Sequence, residues 1–487
     1  MIGNFNIRFV LRVLGFSLIL EAFFMVLCSL VSFYFVEESA LVMLICAAVA
    51  LVFGFFLRMV GKENIRQKTT KRESFVVVTL FWIVLTVFGM LPFYYSGMIP
   101  NWSDAFFETM SGFTTTGSSV LSDIDNLPKG LLLWRSLTQW FGGISIIIFA
   151  SLLFPRVGGS YSGLRNTELS GISKDKYSPK LKHIALRLWG IYSIITTLLI
   201  VLLWIGPMGL FDSVCHALTT VSTGGFSTKQ ANIAYWHSSY LEYVLCFFML
   251  VGGTNFTLIY FLFKGRLKRV FYDEEFKWYI GLALIFTLLV TLGLYYSQQI
   301  SDLETAFRSA AFQVISIATS TGFSTADYTF WGVPYSLIMI LLMIFCASSG
   351  SASGGVKTVR MVILSKNAIN EFKRQVHPNA VLPVRLNRDV IPTETVTKIL
   401  AFLFLYLIVL LVSSLVLGYS GMGSEESVSA SISCLSNVGP ALGSLSPSGN
   451  YANIPEFSKW YLAFLMLVGR LEIFTVLSLF IPGFWKR

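Results

Sequence analysis

Apolar stretches of about 20 residues or more follow one another along almost the whole of this chain, and only four polar stretches between them exceed a dozen residues. A run of that length crosses the hydrocarbon core of a bilayer as a helix, so the fold must satisfy its backbone polar groups without water. Ten crossings are placed at residues 9–36, 40–60, 74–96, 131–154, 185–206, 238–263, 277–297, 333–364, 396–418 and 457–482. Of the 487 residues, 55% are hydrophobic and 13% charged, which fits a polytopic membrane protein and leaves no sizeable soluble domain. The first run, from Phe9 to Val36, is too long for the apolar region of a cleavable signal peptide. Cys28, Cys46, Cys215, Cys246, Cys346 and Cys434 stand singly, so they read as small core residues and not as a disulfide framework or a zinc site.

The formal charge of +10 is not spread evenly, because 26 of the 36 Lys and Arg fall in residues 58–72, 156–187, 264–277 and 357–398. The positive-inside rule makes these segments cytoplasmic, and Arg8, Arg12, Lys486 and Arg487 put both termini on the same side. Such placement fits contact with anionic membrane lipid and gives no reason to expect a nucleic-acid partner.

On the opposite side sits a shorter element, seen four times: 10 to 20 residues, half apolar and half Ser/Thr, ending in Gly. The endings are TTTG at Thr114 to Gly117, VSTG at Val221 to Gly224, TSTG at Thr319 to Gly322 and SNVG at Ser436 to Gly439. A second glycine site follows each, as FGG at Phe141, VGG at Val251, SGG at Ser353 and VGR at Val468. Repetition at this long period outranks any local motif. It predicts an all-α membrane protein of four repeats, each a membrane helix, a pore helix and a second membrane helix, around a pore and preceded by a two-helix N-terminal unit. The boundaries expected are 1–72 for the N-terminal pair and 73–182, 183–275, 276–394 and 395–487 for the repeats.

A segment too short to cross the bilayer must be re-entrant and survives only inside protein or against water. Four such helices around one axis would aim the negative ends of their dipoles at a common point, which favours a cation. The Ser/Thr-Gly endings supply backbone and hydroxyl oxygens able to replace a hydration shell. An uncharged, all-oxygen cage suits an alkali ion better than a transition metal or calcium.

At GFTTTG, STGGFST (Ser222 to Thr228), STGFST (Ser320 to Thr325) and SNVGPALG (Ser436 to Gly443) the sequence resembles the TrkH family of the Trk/Ktr/HKT potassium-uptake superfamily, over essentially its full length. The resemblance implies potassium as the transported ion in a bacterial cytoplasmic membrane. It also implies a homodimer with one pore per subunit, and cytosolic TrkA-type subunits that carry the nucleotide. The filter residues it implies are Thr115, Thr116 and Gly117; Ser222, Thr223 and Gly224; Ser320, Thr321 and Gly322; and Asn437, Val438 and Gly439. In the family Gly rather than Ser at the first of these turns goes with potassium preference, so Gly117 points to potassium over sodium.

Two features suggest a gate. CASSGSASGGV, at Cys346 to Val356, carries Gly350, Gly354 and Gly355 and is a poor helix former, since each Gly costs about 1 kcal/mol against Ala. It reads either as an intramembrane loop, which the resemblance favours, or as a small-residue packing seam. Lys357 beside it serves the loop or anchors at the interface. Arg470 lies deep in an apolar run, where charges are costly and usually functional. It projects into the conduit, as the resemblance implies, or pairs with Glu472 or Glu21. His216 reads as a packed or hydrogen-bonded residue. A proton- or sodium-coupled symporter is the alternative within the class. A membrane enzyme is remote, because the four His fall in unrelated places.

Overall fold

The computed structural model describes residues 5–61, 71–153 and 179–485, so most of the basic segments 58–72 and 156–187, and Lys486 and Arg487, lie outside the described residues. Helices dominate. The N-terminal pair is α1 (Ile7–Tyr34) and α2 (Ser39–Val60). Then come α3 (Lys71–Gly89), α4 (Leu91–Tyr95), α5 (Trp102–Phe113), α6 (Lys129–Leu153), α7 (Pro179–Ile205), α8 (Leu210–Val221), α9 (Ser239–Gly252), α10 (Phe256–Phe263) and α11 (Leu267–Phe271). The chain continues with α12 (Glu274–Tyr296), α13 (Leu303–Ala318), α14 (Val333–Ile344), α15 (Thr358–Val376), α16 (Thr393–Tyr419), α17 (Ser424–Ser436), α18 (Glu456–Arg470), α19 (Ile473–Leu477) and α20 (Pro482–Trp485).

Among the described residues six helices are long and apolar enough to cross a membrane, and two bent pairs raise the number to eight. The continuous crossings expected at 238–263 and 457–482 are therefore corrected. The first breaks between α9 and α10 with a 105° bend, and the second between α18 and α19 with a 112° bend. At the first break Asn255 caps α10 by accepting the N–H of Thr257; at the second, Glu472 takes a positive φ of 61°. The expected crossing at 333–364 is also divided. An apolar α14 ends at Ile344, residues 345–357 form a loop, and the Lys/Arg-bearing α15 runs on to Val376. The loop closes on itself through a parallel bridge of β1 (Phe345–Cys346) with β2 (Val356–Lys357). A packing seam within one continuous helix is thus not what these small residues build.

The four short helices α5, α8, α13 and α17 are buried along their C-terminal halves. Each touches the helix that follows the previous short helix: α6 packs on α8, α9 on α13, α14 on α17, and α18 on α5. These contacts close into a cycle. Outside it, a tight hairpin of β3 (Arg385–Leu386) and β4 (Asp389–Val390) turns through Asn387 and Arg388, both at positive φ as a type I′ turn requires. Its Leu386 joins Val359, Val362, Ile363, Val396 and Ile399 in a small separate core.

The N-terminal pair crosses closely where Gly15 faces Gly54. A Cβ at Gly15 would lie 2.6 Å from the Gly54 carbonyl oxygen and 2.8 Å from the Arg58 nitrogen, so the backbones meet with no side chain between them. Gly15→Ile is expected to destabilise the protein by about 1–3 kcal/mol through overpacking. Thermal unfolding in detergent measures this, and ion selectivity of the folded fraction should be unchanged.

Candidate ion-selectivity site and intramembrane loop

Every short helix ends in the same hydrogen-bonded turn. The N–H of Thr115, Thr223, Ser320 and Asn437 donates to Gly112, Thr220, Ile317 and Cys434. The next N–H, of Thr116, Gly224, Thr321 and Val438, donates to Ser111, Thr219, Ser316 and Ser433. This is the Schellman pattern, and it needs a left-handed residue. Thr115, Thr223, Ser320 and Asn437 supply it, with φ of 53° to 54°.

Two residues further on, Gly117, Gly225, Gly322 and Gly439 are again at positive φ. The second turn therefore differs in register from the expectation: Gly224 is equivalent to Thr116, and Gly225, not Gly224, is equivalent to Gly117. Ser222 correspondingly falls on the helix cap, where its hydroxyl bonds back to Leu218 and Thr219. A sequence signal for this exists, since GFST recurs at Gly225 to Thr228 and Gly322 to Thr325.

The four glycines each meet the backbone of a neighbouring turn closely. A Cβ at Gly117 would collide with the carbonyl oxygen of Gly224, at Gly225 with that of Thr321, at Gly322 with that of Val438, and at Gly439 with that of Thr116. Each glycine thus packs on a middle-residue carbonyl of the next turn, and the fourth returns to the first. Apart from that of Thr115, the side-chain hydroxyls are engaged elsewhere. Thr116 Oγ1 pairs with Thr114 Oγ1 at 2.8 Å and accepts from Asn437 Nδ2 at 3.0 Å. Thr321 Oγ1 pairs with Thr319 Oγ1 at 2.7 Å, Thr223 Oγ1 donates to Ser222, and Ser320 Oγ accepts from Gly354 N. Backbone carbonyls are left as the main oxygen donors. Thr115 Oγ1 and Asn437 Oδ1 are buried and make no hydrogen bond within the described residues. Asn437 and Val438 are themselves fully buried at the fourth turn.

Residues outside the expected filter hold these turns, and of them the sequence had drawn attention only to His216. Glu108, His216 and Gln313 each stand six residues before the helix cap. Each reaches the strand-like segment beyond its turn. Glu108 accepts from Val120 N and Ser119 Oγ, His216 Nε2 bonds Ser227 Oγ, and Gln313 donates to Thr325 Oγ1. The packed, hydrogen-bonded reading of His216 is the observed one. Glu108 also forms a buried 2.7 Å ion pair with Arg135, which donates onward to the Ser227 carbonyl. Gln139 donates to Gly224 O and accepts from Phe226 N. A charged residue inside a short buried helix was the available signal for Glu108.

The second glycine sites lie directly beneath. Added Cβ atoms at Gly143, Gly253 and Gly354 would meet Ser222, Thr319 and Asn437, the turn of the following segment in each case. Arg470 stands in VGR at the position that Gly143 takes in FGG and Gly253 in VGG. It is 4% exposed and donates to the carbonyls of Ala352, in the loop, and Gly142, in α6. The alternative pairing is not observed. Glu472 binds Arg360 at 2.7 Å, and the oxygens of Glu21 make no hydrogen bond among the described residues. Lys357 serves the loop, with its Nζ bonded to the Ser353 carbonyl and hydroxyl. Gly350 and Gly355 turn the loop at positive φ.

Multiple membrane-length helices around four buried, glycine-built turns define a multi-pass membrane protein of the transporter class. Comparison with known proteins agrees. The family model TrkH, described as a cation transport protein, matches residues 41–486. The Trk system potassium uptake protein TrkH of Salmonella typhimurium is 34% identical over 99% of this chain and 100% of its own length. That of Halomonas elongata is 32% identical over 99% of this chain and 100% of its own. The crystal structure of the potassium transporter TrkH from Vibrio parahaemolyticus superposes with a TM-score of 0.91 at 31% identity, covering 99% of this chain and 100% of that one. The chain belongs to the TrkH family. These relatives are named as uptake proteins and none of them as an enzyme.

The register of the second turn is testable. Gly225→Ala places a Cβ at φ 79° against the Thr321 carbonyl, whereas Gly224→Ala meets only the end of the Gln139 side chain at an ordinary φ. Gly225→Ala should cost more than the roughly 1–2 kcal/mol of a left-handed L-residue, and Gly224→Ala distinctly less. Melting temperatures of the two purified variants give the order.

Proposed function

We propose that this chain is the potassium-translocating membrane subunit of a bacterial Trk-type uptake system. It resides in the cytoplasmic membrane with both termini inside and works as a homodimer with one conduit per subunit. A ring of nucleotide-binding TrkA-type subunits regulates it from the cytoplasm. The four repeats surround the conduit, and the carbonyls beside Gly117, Gly225, Gly322 and Gly439 select the ion. Residues 345–357 obstruct the path below, with Arg470 adding a positive charge there.

One observation carries this reading: the cycle in which each turn glycine packs on a carbonyl of the next turn. A closed ring of uncharged carbonyls at the C-terminal ends of four short helices favours a desolvated monovalent cation. The names of the relatives supply potassium.

Flux into liposomes containing the purified protein alone, with potassium, rubidium and sodium compared, is the test. Potassium and rubidium should pass and sodium should lag. Gly117→Ser should lower the potassium to sodium ratio, because its Cβ collides with the Gly224 carbonyl. An unchanged ratio in the folded variant would remove the filter assignment.

The obstruction has its own readout. Deleting residues 348–354, or Arg470→Ala, should raise potassium flux per folded dimer with the ion ratio nearly constant, since selection happens above them. Slower flux in Arg470→Ala would mean that the arginine supports the loop without forming a barrier.

A further inference from the structure

The loop 345–357 is anchored on several sides, and one anchor comes from outside the glycine sites. Ser348 N donates to Gly253 O at 3.0 Å, and Phe256 N donates to Gly350 O at 3.2 Å, both at the break between α9 and α10. On the side facing α12, the Glu275 carboxylate accepts from Ser349 N at 2.5 Å and from Ser349 Oγ at 2.9 Å. Glu275 is 4% exposed. A carboxylate so buried is tolerated only with hydrogen bonds to its charge, and the first turn of α12 adds the favourable end of a helix dipole.

Glu275 is the third of three consecutive acidic residues with three different destinations. Asp273 caps α12 through Phe276 N and accepts from Asn387 Nδ2 at 2.8 Å. Glu274 donates its N–H to Asn387 Oδ1 at 2.8 Å, and its carboxylate binds Lys366 of α15. Lys366 also donates to the Arg385 carbonyl of the hairpin at 2.9 Å. The tip of the cytoplasmic hairpin and the tip of the intramembrane loop are thereby tied to adjoining residues of one helix terminus.

We infer that Glu275 is a positioning residue that latches the intramembrane loop, and that Asp273 to Glu275 form the junction through which displacement of the hairpin at 385–390 releases it. This rests on the reading of the loop as an obstruction. A latch of two charge-assisted hydrogen bonds is strong enough to shift a two-state equilibrium by an order of magnitude.

The test uses the full chain in potassium-loaded liposomes without any partner, with flux expressed per folded protein. Glu275→Ala should raise flux roughly tenfold, Ser349→Ala should raise it less, and Glu275→Gln, which retains an acceptor for Ser349 N, should fall between wild type and Glu275→Ala. The Glu275→Ala/Ser349→Ala double variant should match Glu275→Ala alone, because the hydroxyl acts through the carboxylate. Asn387→Ala should raise flux if the junction transmits, and wild-type flux there would remove the hairpin from the proposal. In a chain already lacking residues 348–354, Glu275→Ala should add nothing. If the deletion raises flux while Glu275→Ala and Ser349→Ala stay at wild type, the latch is refuted and the obstruction stands. If the deletion itself changes nothing, the obstruction reading fails instead. Should Glu275→Ala not yield folded protein, Ser349→Ala, which removes one hydroxyl, decides alone, and flux at wild type would overturn the latch.

Discussion

The approach of a glycine to a carbonyl of the neighbouring turn, made four times, is the contact on which the rest of the structure depends. Gly117, Gly225, Gly322 and Gly439 let four chain segments meet with their backbones nearly touching. Any side chain there would push the segments apart. Everything around the turns maintains that approach: short helices end at them, second-span glycines lie beneath them, and Glu108, His216 and Gln313 pin the segments beyond them. Under the proposed function a transported ion would complete the arrangement, because carbonyls crowded together in a low-dielectric interior repel one another unless a cation lies between them.

The spans that carry the second glycine sites differ in continuity. Two helices stop at Gly252 and Arg470, and the chain turns away by 105° and 112°. In α6 the equivalent pair, Gly142 and Gly143, stays within a continuous helix. Between α14 and α15 the interruption is longest, and its thirteen-residue loop makes bonds to the second, third and fourth segments through Gly253, Ser320 and Arg470.

Much of this was legible in the sequence because period and length carry it. Membrane-length helices, the four short segments and the glycine-rich interruption all follow from hydropathy and repetition. What was not legible is local and tertiary. Hydropathy does not distinguish a straight helix from two bent halves, so the breaks at Gly253 to Asn255 and at Glu472 were missed. Two adjacent glycines, Gly224 and Gly225, left the register open by one residue; the recurring GFST hints at it and the hydrogen bonds of the turn fix it. Hydroxyls that looked like ion ligands at Thr116, Thr223 and Thr321 have protein partners that no spacing reveals. The partners of Arg470 are backbone carbonyls, and a sequence marks acids and not carbonyls.

The packing of α18 against α5 has a consequence for biosynthesis. Membrane helices enter the bilayer in the order they are made, so the first polar turn is inserted long before the segment that covers its open flank. Until the turn after α17 arrives, the hydroxyls of Thr116 and Ser118 lack the partners that Asn437 and Gly439 provide. The nascent chain therefore holds polar side chains at membrane depth whose remaining partners come only from its last part. A ribosome that stops early leaves the cycle open, with the flank of the first turn facing lipid instead of α18.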